Sequence, residues 1–113
     1  MPTVVLLKED SPGDYRRLTA EISGGDLVLR GEDRGEKVRR FFNTDSYEYG
    51  WMVKSKHLPR VVKALGLAPG VRADNLLAGL KKAFESGQFV DMDFGTWLKR
   101  RRIPTEFWSH VDW

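Results

Sequence analysis

The sequence has no cysteine and only two histidines, His57 and His110, among its 113 residues. The absence of cysteine excludes disulfide bonds, thiolate catalysis and metal sites that depend on thiolate ligands. His110 has Asp112 two residues away, but two groups do not make a metal centre. We therefore predict no resident metal and no cofactor, and the lack of cysteine is typical of a cytoplasmic protein.

Catalytic motifs are lacking as well: the sequence has no Gly-x-Ser-x-Gly elbow, no phosphate-binding loop and no dinucleotide-binding fingerprint. Glu48, between Tyr47 and Tyr49, would serve as a general acid or base only if a helix covered its face of the sheet. We expect water on that face, since antiparallel sheets often leave one face exposed. Other carboxylates have local roles as caps or turn residues: Asp10 with Asp14, Glu32 with Asp33, and Asp91 with Asp93. The sequence predicts a protein that is not an enzyme.

Long apolar segments are also missing. The apolar stretch over residues 3–7 is too short for a signal peptide and is followed by charged residues. No apolar run approaches the length that crosses a bilayer, so we expect no membrane association. A chain of this length predicts a single domain over residues 1–113.

The clearest positive signal is a strict alternation over residues 47–53. Tyr47, Tyr49, Trp51 and Val53 fall at every second position. In an extended chain, alternate side chains point to opposite faces, so one face carries three aromatic rings and a valine. This pattern predicts a strand whose aromatic face belongs to the core.

Three further strands are predicted before the aromatic strand. The expected order is a buried strand over 3–8, a turn over 10–14, an alternating strand over 15–23, a tight hairpin at Gly24-Gly25 and a strand over 26–31. Asp33 and Glu36 then form a predicted capping box. It would begin a short helix whose inward residues are Val38, Phe41 and Phe42.

Three helices are predicted after the aromatic strand. Ser55 and Asp74 are the expected N-caps of the first two helices, and Asp91 or Asp93 that of the third. The inward stripes are Leu58, Val61, Val62 and Leu65, then Leu76, Leu77, Leu80 and Phe84, and finally Phe94, Trp97 and Leu98. Gly66 and Gly87 end the first two helices. The fold class is therefore α+β: an N-terminal antiparallel β-meander plus one aromatic strand, with helices packed on one face.

Positive charge is concentrated in the second half of the chain. Residues 1–53 carry eight basic and ten acidic side chains, whereas residues 54–113 carry eleven and six. The run Lys99, Arg100, Arg101 and Arg102 has two interpretations. It binds phosphates, with Trp97 or Trp108 stacking on a base, or it complements the dipole at the end of a helix, with Arg101 over Trp97 or Leu98.

The last eleven residues alternate again, and one side carries Ile103, Thr105, Phe107, Val111 and Trp113. They predict a strand or an ordered extended segment that docks on its own domain or on a second copy. Trp108 is out of phase with Phe107, so there are two interpretations: Trp108 and the terminal Trp113 are exposed, or the tail docks on the domain and buries both rings. An exposed tryptophan beside arginines is typical of protein interfaces.

Several stretches resemble a family of small uncharacterised bacterial proteins. They are residues 25–31, Tyr47-Glu48-Tyr49, His57-Leu58-Pro59 with Ala64-Leu65-Gly66, and Ile103-Pro104 with Glu106-Phe107-Trp108. No activity is established for that family, so the resemblance assigns no catalytic or binding residue. The small size and aromatic-rich α+β character are also similar to those of immunity proteins of bacterial toxin systems.

Two functions follow as hypotheses. The first is a non-enzymatic protein-binding module, immunity- or inhibitor-like, acting as a monomer or homodimer on an unknown protein partner. The second is a nucleic-acid-binding protein that uses the basic helix end together with Arg39 and Arg40. The candidate partner-binding residues for the two hypotheses are Arg39, Arg40, Lys99, Arg100, Arg102, Trp108 and Trp113.

Overall fold

The structure, a computed structural model, describes residues 3–11, 13–35, 40, 46–87 and 94–112. Its centre is one antiparallel sheet of five strands in the order β1-β2-β3-β4-β5. The strands are β1 (Thr3–Ser11), β2 (Asp14–Ser23), β3 (Asp26–Gly35), β4 (Ser46–Val53) and β5 (Glu106–Asp112). The predicted meander and the aromatic strand are confirmed, and the chain end forms a fifth strand.

Tight turns connect the first three strands. Gly24 and Gly25 have φ angles of 59° and 86°, which place both residues in the left-handed region that a two-residue hairpin requires. Ser11 pairs with Asp14, so the first turn is shorter than the predicted 10–14 segment. β1 is an edge strand, and the predicted buried first strand is buried in part only: Leu6 lies in the core, whereas Val5 is 36% exposed.

The third strand runs four residues further than predicted, to Gly35. Asp33 therefore lies in β3, opposite Arg16 and Tyr47, and is not the cap of a helix. The Asp33 carboxylate is paired with a cross-strand arginine, so it does not bind a backbone amide at a helix N-terminus. The predicted helix with Val38, Phe41 and Phe42 lies outside the described residues, apart from Arg40, which is helical and exposed.

Three helices follow β4 in the described ranges: α1 (Leu58–Ala64), α2 (Ala73–Glu85) and α3 (Phe94–Arg100). A 3-10 turn over Ser55–His57 precedes α1, so Ser55 is not its N-cap; instead the Ser55 amide donates to Asp26 Oδ1 at 2.8 Å. Asp74 is not the N-cap of α2 either, because the helix begins one residue earlier. The Asp74 carboxylate lies in the first turn of α2, where the helix dipole favours negative charge. The proposed caps of α3 are outside the described residues.

The helices pack on one face of the sheet, which we call the helix-side face. It carries the predicted inward residues Leu18, Ala20, Leu27, Leu29, Trp51 and Val53. The buried helix residues are Val61 and Val62 on α1, Leu76, Leu77, Leu80 and Ala83 on α2, and Phe94, Trp97 and Leu98 on α3. The predicted helical stripes are confirmed, and the opposite face carries Arg17, Arg30, Glu32 and Glu48. In the described ranges, every helix is too short or too polar to cross a bilayer.

Candidate functional site

The aromatic residues of β4 form a row along the helix-side face. The Tyr47 and Tyr49 rings stack with centroids 5.4 Å apart, and Tyr49 meets Trp51 edge-on at 5.5 Å. Trp51 continues the row edge-on to Phe94 of α3 at 6.1 Å. The period of two along β4 thus places three rings at the border between the sheet and α3.

One side of α3 forms the wall of an open groove beside this row. Gly95, Thr96 and Lys99 lie on that side because residues three and four apart share a helix face. The groove has a volume of about 540 Å³ and is lined by Arg16, Asp33, Tyr47, Tyr49, Trp51, Gly95, Thr96, Lys99 and Phe107. A smaller depression adjoins it, and the two share Trp51, Gly95, Lys99 and Phe107. We call this surface the aromatic groove.

Phe107 of β5 stands at the mouth of the aromatic groove. It pairs with Trp51 in the sheet register, and the two ring centroids are 5.7 Å apart. Phe107 is nevertheless 58% exposed, the largest exposure of any large apolar residue in the described part of the chain. A half-exposed phenylalanine against a tryptophan is the kind of anchor that a binding surface offers.

An ionic cluster closes the other end of the groove. Arg16 binds both carboxylate oxygens of Asp33, at 3.2 and 3.4 Å, and the Tyr49 hydroxyl donates to Asp33 Oδ1 at 3.4 Å. Burial first, and then the negative charge of Asp33, raises the pKa of Tyr49 to about 12. Tyr49 is therefore a neutral hydrogen-bond donor at physiological pH, and the cluster fixes its ring in the aromatic row.

The basic run divides between two settings. Lys99 lines the groove, whereas Arg101 lies over the Trp97 ring at 4.3 Å and donates to the Trp97 carbonyl at 3.3 Å. The expected stacking of Arg101 on Trp97 is confirmed. Arg100 and Arg102 are exposed, and in the described ranges neither of them nor Lys99 makes an ion pair.

Arg102 occupies a backbone position that usually belongs to glycine. Its φ is 55°, and it is the only described residue other than glycine with a positive φ. The Arg102 and Ile103 amides donate to the carbonyls of Lys99 and Leu98, each at 3.0 Å, which closes the C-terminus of α3. An arginine in this conformation keeps its charge beside the helix end at a cost in backbone energy.

Trp108 lies on the opposite face of the sheet, so the structure does not place it in the aromatic groove. Its ring covers Gly50 so closely that a Cβ built on Gly50 would lie 2.4 Å from the ring. Arg30 lies 5.9 Å from the ring centroid. Trp108 is thus half-buried, which fits the docked alternative for the tail, because Gly50 on β4 leaves room for its ring. Phe107 lies on the side that the alternation assigned to docking, and it is exposed.

Glu48 is exposed on that same opposite face, in agreement with the prediction. It borders a depression of about 250 Å³ with Arg17, Arg30, Glu32 and Trp108. Glu32 makes an ion pair with Arg34, and Arg30 makes one with Glu21 at 3.1 Å. This face therefore carries solvent-exposed ion pairs and does not form a closed pocket that would make Glu48 a general acid or base.

Two of the predicted binding residues, Arg39 and Trp113, lie outside the described residues. Arg40 is exposed but belongs to neither the groove nor the end of α3 in the described contacts. The sequence interpretation also missed Arg16, Tyr47, Thr96 and Phe107. The alternation in β4 placed Tyr47 on the aromatic face of the strand and assigned that face to the core. Only the three-dimensional arrangement shows that α3 leaves the Tyr47 end of this face uncovered.

The described residues contain no group of three or more side chains suited to hold a metal ion. Fold and site together define an α+β protein with helices on one sheet face and an aromatic groove at the edge of that face. No protein-family model matches the sequence, and no curated protein or solved structure matches it.

Proposed function

We propose that the protein is a non-enzymatic binding module for another protein and that the aromatic groove is its binding surface. The observation that carries this proposal is Phe107, 58% exposed at the mouth of a groove whose floor is Trp51 and Tyr47. When a partner covers exposed rings in such a setting, apolar area leaves water, and this favours binding.

The chemistry of the groove fits a protein partner. Its centre is aromatic, and its rim carries Thr96, Lys99 and the Arg16–Asp33 pair. Protein interfaces have this arrangement, with aromatic residues and arginine enriched at the centre and polar groups at the edge. The narrower form of the proposal is an immunity- or inhibitor-like role. In that form the partner is a toxin or an enzyme, and this protein blocks it by binding.

Affinity capture from the native host tests the proposal with three baits. They are the wild type, Phe107→Ser and, as a matched control, Val5→Ser. Val5 is the other exposed large apolar residue in the described ranges, on the opposite edge strand. We expect a protein that the wild type and Val5→Ser retain and that Phe107→Ser loses.

Equal recovery on all three baits would contradict the groove as the binding surface. Both substitutions change partly exposed side chains, so both variants are expected to fold with thermal midpoints near that of the wild type. Thermal melts of all three baits check this before the capture is interpreted.

Nucleic-acid binding is a second candidate, and the observation that favours it is the setting of Arg102. The residue keeps an arginine where glycine would be easier, next to the exposed Arg100. Unpaired arginines at a helix end can bind phosphates. Gel shifts with single-stranded and double-stranded probes at low salt test this candidate, and absence of binding there would remove it.

A further inference from the structure

The two edges of the sheet differ in regularity. β1 has a register shift between Val5 and Leu7, and α2 packs against this strand. Bulges and covering elements are common devices that keep an edge strand from pairing with another chain. β5 pairs with β4 without a shift from Ser46–Asp112 to Met52–Glu106. β1 is therefore an edge interrupted by a register shift, and β5 is a regular one.

The outer side of β5 has no backbone partner within the described ranges. The five-stranded sheet ends at this strand, and outside the sheet no backbone–backbone hydrogen bond joins it to another described residue. An edge strand of this kind presents alternate N–H and C=O groups that a further strand can satisfy.

The edge of β5 is continuous with the aromatic groove. Phe107 belongs to both, since it is a residue of β5 and lines the groove with Trp51 and Lys99. A strand laid beside β5 would lie about 4.8 Å away. Every second side chain of that strand would point to the helix-side face, beside Phe107.

We propose that the partner contributes an extended segment that pairs with β5 as a sixth strand. The inference rests on the proposed function and specifies the partner's form. The segment carries an apolar residue beside Phe107, and an acidic residue on the same side meets Lys99, the groove's unpaired cation among the described side chains. Backbone pairing supplies affinity, and these alternate side chains supply specificity.

A displayed library of random linear peptides provides the probe. Peptides are selected on the wild-type protein and counter-selected on Phe107→Ser, and Kd is then measured for the best peptide and for each of its singly N-methylated forms. We expect methylation to weaken binding about tenfold or more at every second residue only, because alternate N–H groups point to β5 and the others to water. Val5→Ser should bind the peptide like the wild type.

The outcomes separate this inference from the proposed function. If N-methylation weakens peptide binding at successive residues without alternation, or does not weaken it at all, strand addition is overturned. The capture experiment still decides separately whether the groove binds a protein. Selection that yields no peptide able to distinguish the wild type from Phe107→Ser also overturns the inference. A dimer in sedimentation that Phe107→Ser dissociates assigns the edge of β5 to a second copy of this chain and overturns a foreign segment.

Discussion

At the scale of single residues, Arg102 shows a conflict between residue type and backbone conformation. Its φ of 55° is one that L-residues other than glycine adopt at a cost of about 1–2 kcal/mol. The hydrogen bonds at this turn are made by backbone groups, and Arg60 also donates to the Arg102 carbonyl, at 3.0 Å. None of these contacts needs the Arg102 side chain.

Arg102→Gly is therefore expected to raise the free energy of unfolding by about 1 kcal/mol. The matched control is Arg100→Gly, two residues earlier and still within α3, which should lower it by up to about 1 kcal/mol. Urea denaturation of both variants measures the difference. If Arg102→Gly destabilises as much as Arg100→Gly, the arginine side chain itself holds the turn.

The Tyr49–Asp33 contact gives a second prediction at this scale, on pH. The pKa of Tyr49 is raised from 10.0 to about 12, so the folded state holds its proton more tightly than the unfolded state. The stabilisation is complete below pH 10 and is lost as the pH rises from 10 towards 12. The wild type should lose stability across this range more steeply than Tyr49→Phe, and parallel pH curves for the two proteins would show that the tyrosine does not carry the effect.

At the scale of elements, strands and helices follow closely from local patterns, while caps and contacts do not. Alternation identified β2 and β4, and the i, i+3, i+4 stripes identified α1, α2 and α3, because burial of one face imposes a period. The predicted N-cap Ser55 was wrong because a 3-10 turn over Ser55–His57 precedes α1, and the Ser55 amide is bound instead by Asp26, which is distant in sequence. The predicted helix-capping role of Asp33 was wrong because its partner, Arg16, lies on another strand.

Two glycines lie directly beneath aromatic rings of a neighbouring strand, and Gly31 provides the cleaner test of this packing. A Cβ on Gly31 would lie 2.2 Å from the Tyr49 ring, which is opposite it in the sheet register. Gly31→Ala should lower the free energy of unfolding by about 1–3 kcal/mol through overpacking. In a Tyr49→Ala background the same substitution should cost clearly less, because the obstructing ring is gone. Equal costs in the two backgrounds would contradict the contact.

The terminal strand gives another prediction for an element. Truncation after Arg102 removes Ile103, which is 4% exposed, and all of β5, so that β4 becomes an edge and Trp51 loses the Phe107 ring. We expect a clearly lower thermal midpoint or failure to fold. Phe107→Ser in the full-length chain is the control and should melt near the wild type. A truncated protein that melts like the intact one would show that β5 adds nothing to stability.

At the scale of the whole molecule, the sequence predicts the fold better than the site. Its strand and helix patterns predict α+β with helices on one face, and the sheet confirms this class. The aromatic groove depends on how far α3 covers the β4 rings and on which of Phe107 and Trp108 meets a glycine. Those facts join residues far apart in the chain, and no local pattern encodes them.

The proposed function requires that another protein contacts the aromatic groove at Phe107. A photoreactive phenylalanine analogue placed at position 107, and in a second variant at position 5, tests this contact by irradiation in the native host. We expect a specific protein adduct at position 107 that is absent at position 5. The same adducts at both positions, or adducts at position 5 alone, would contradict the proposed function.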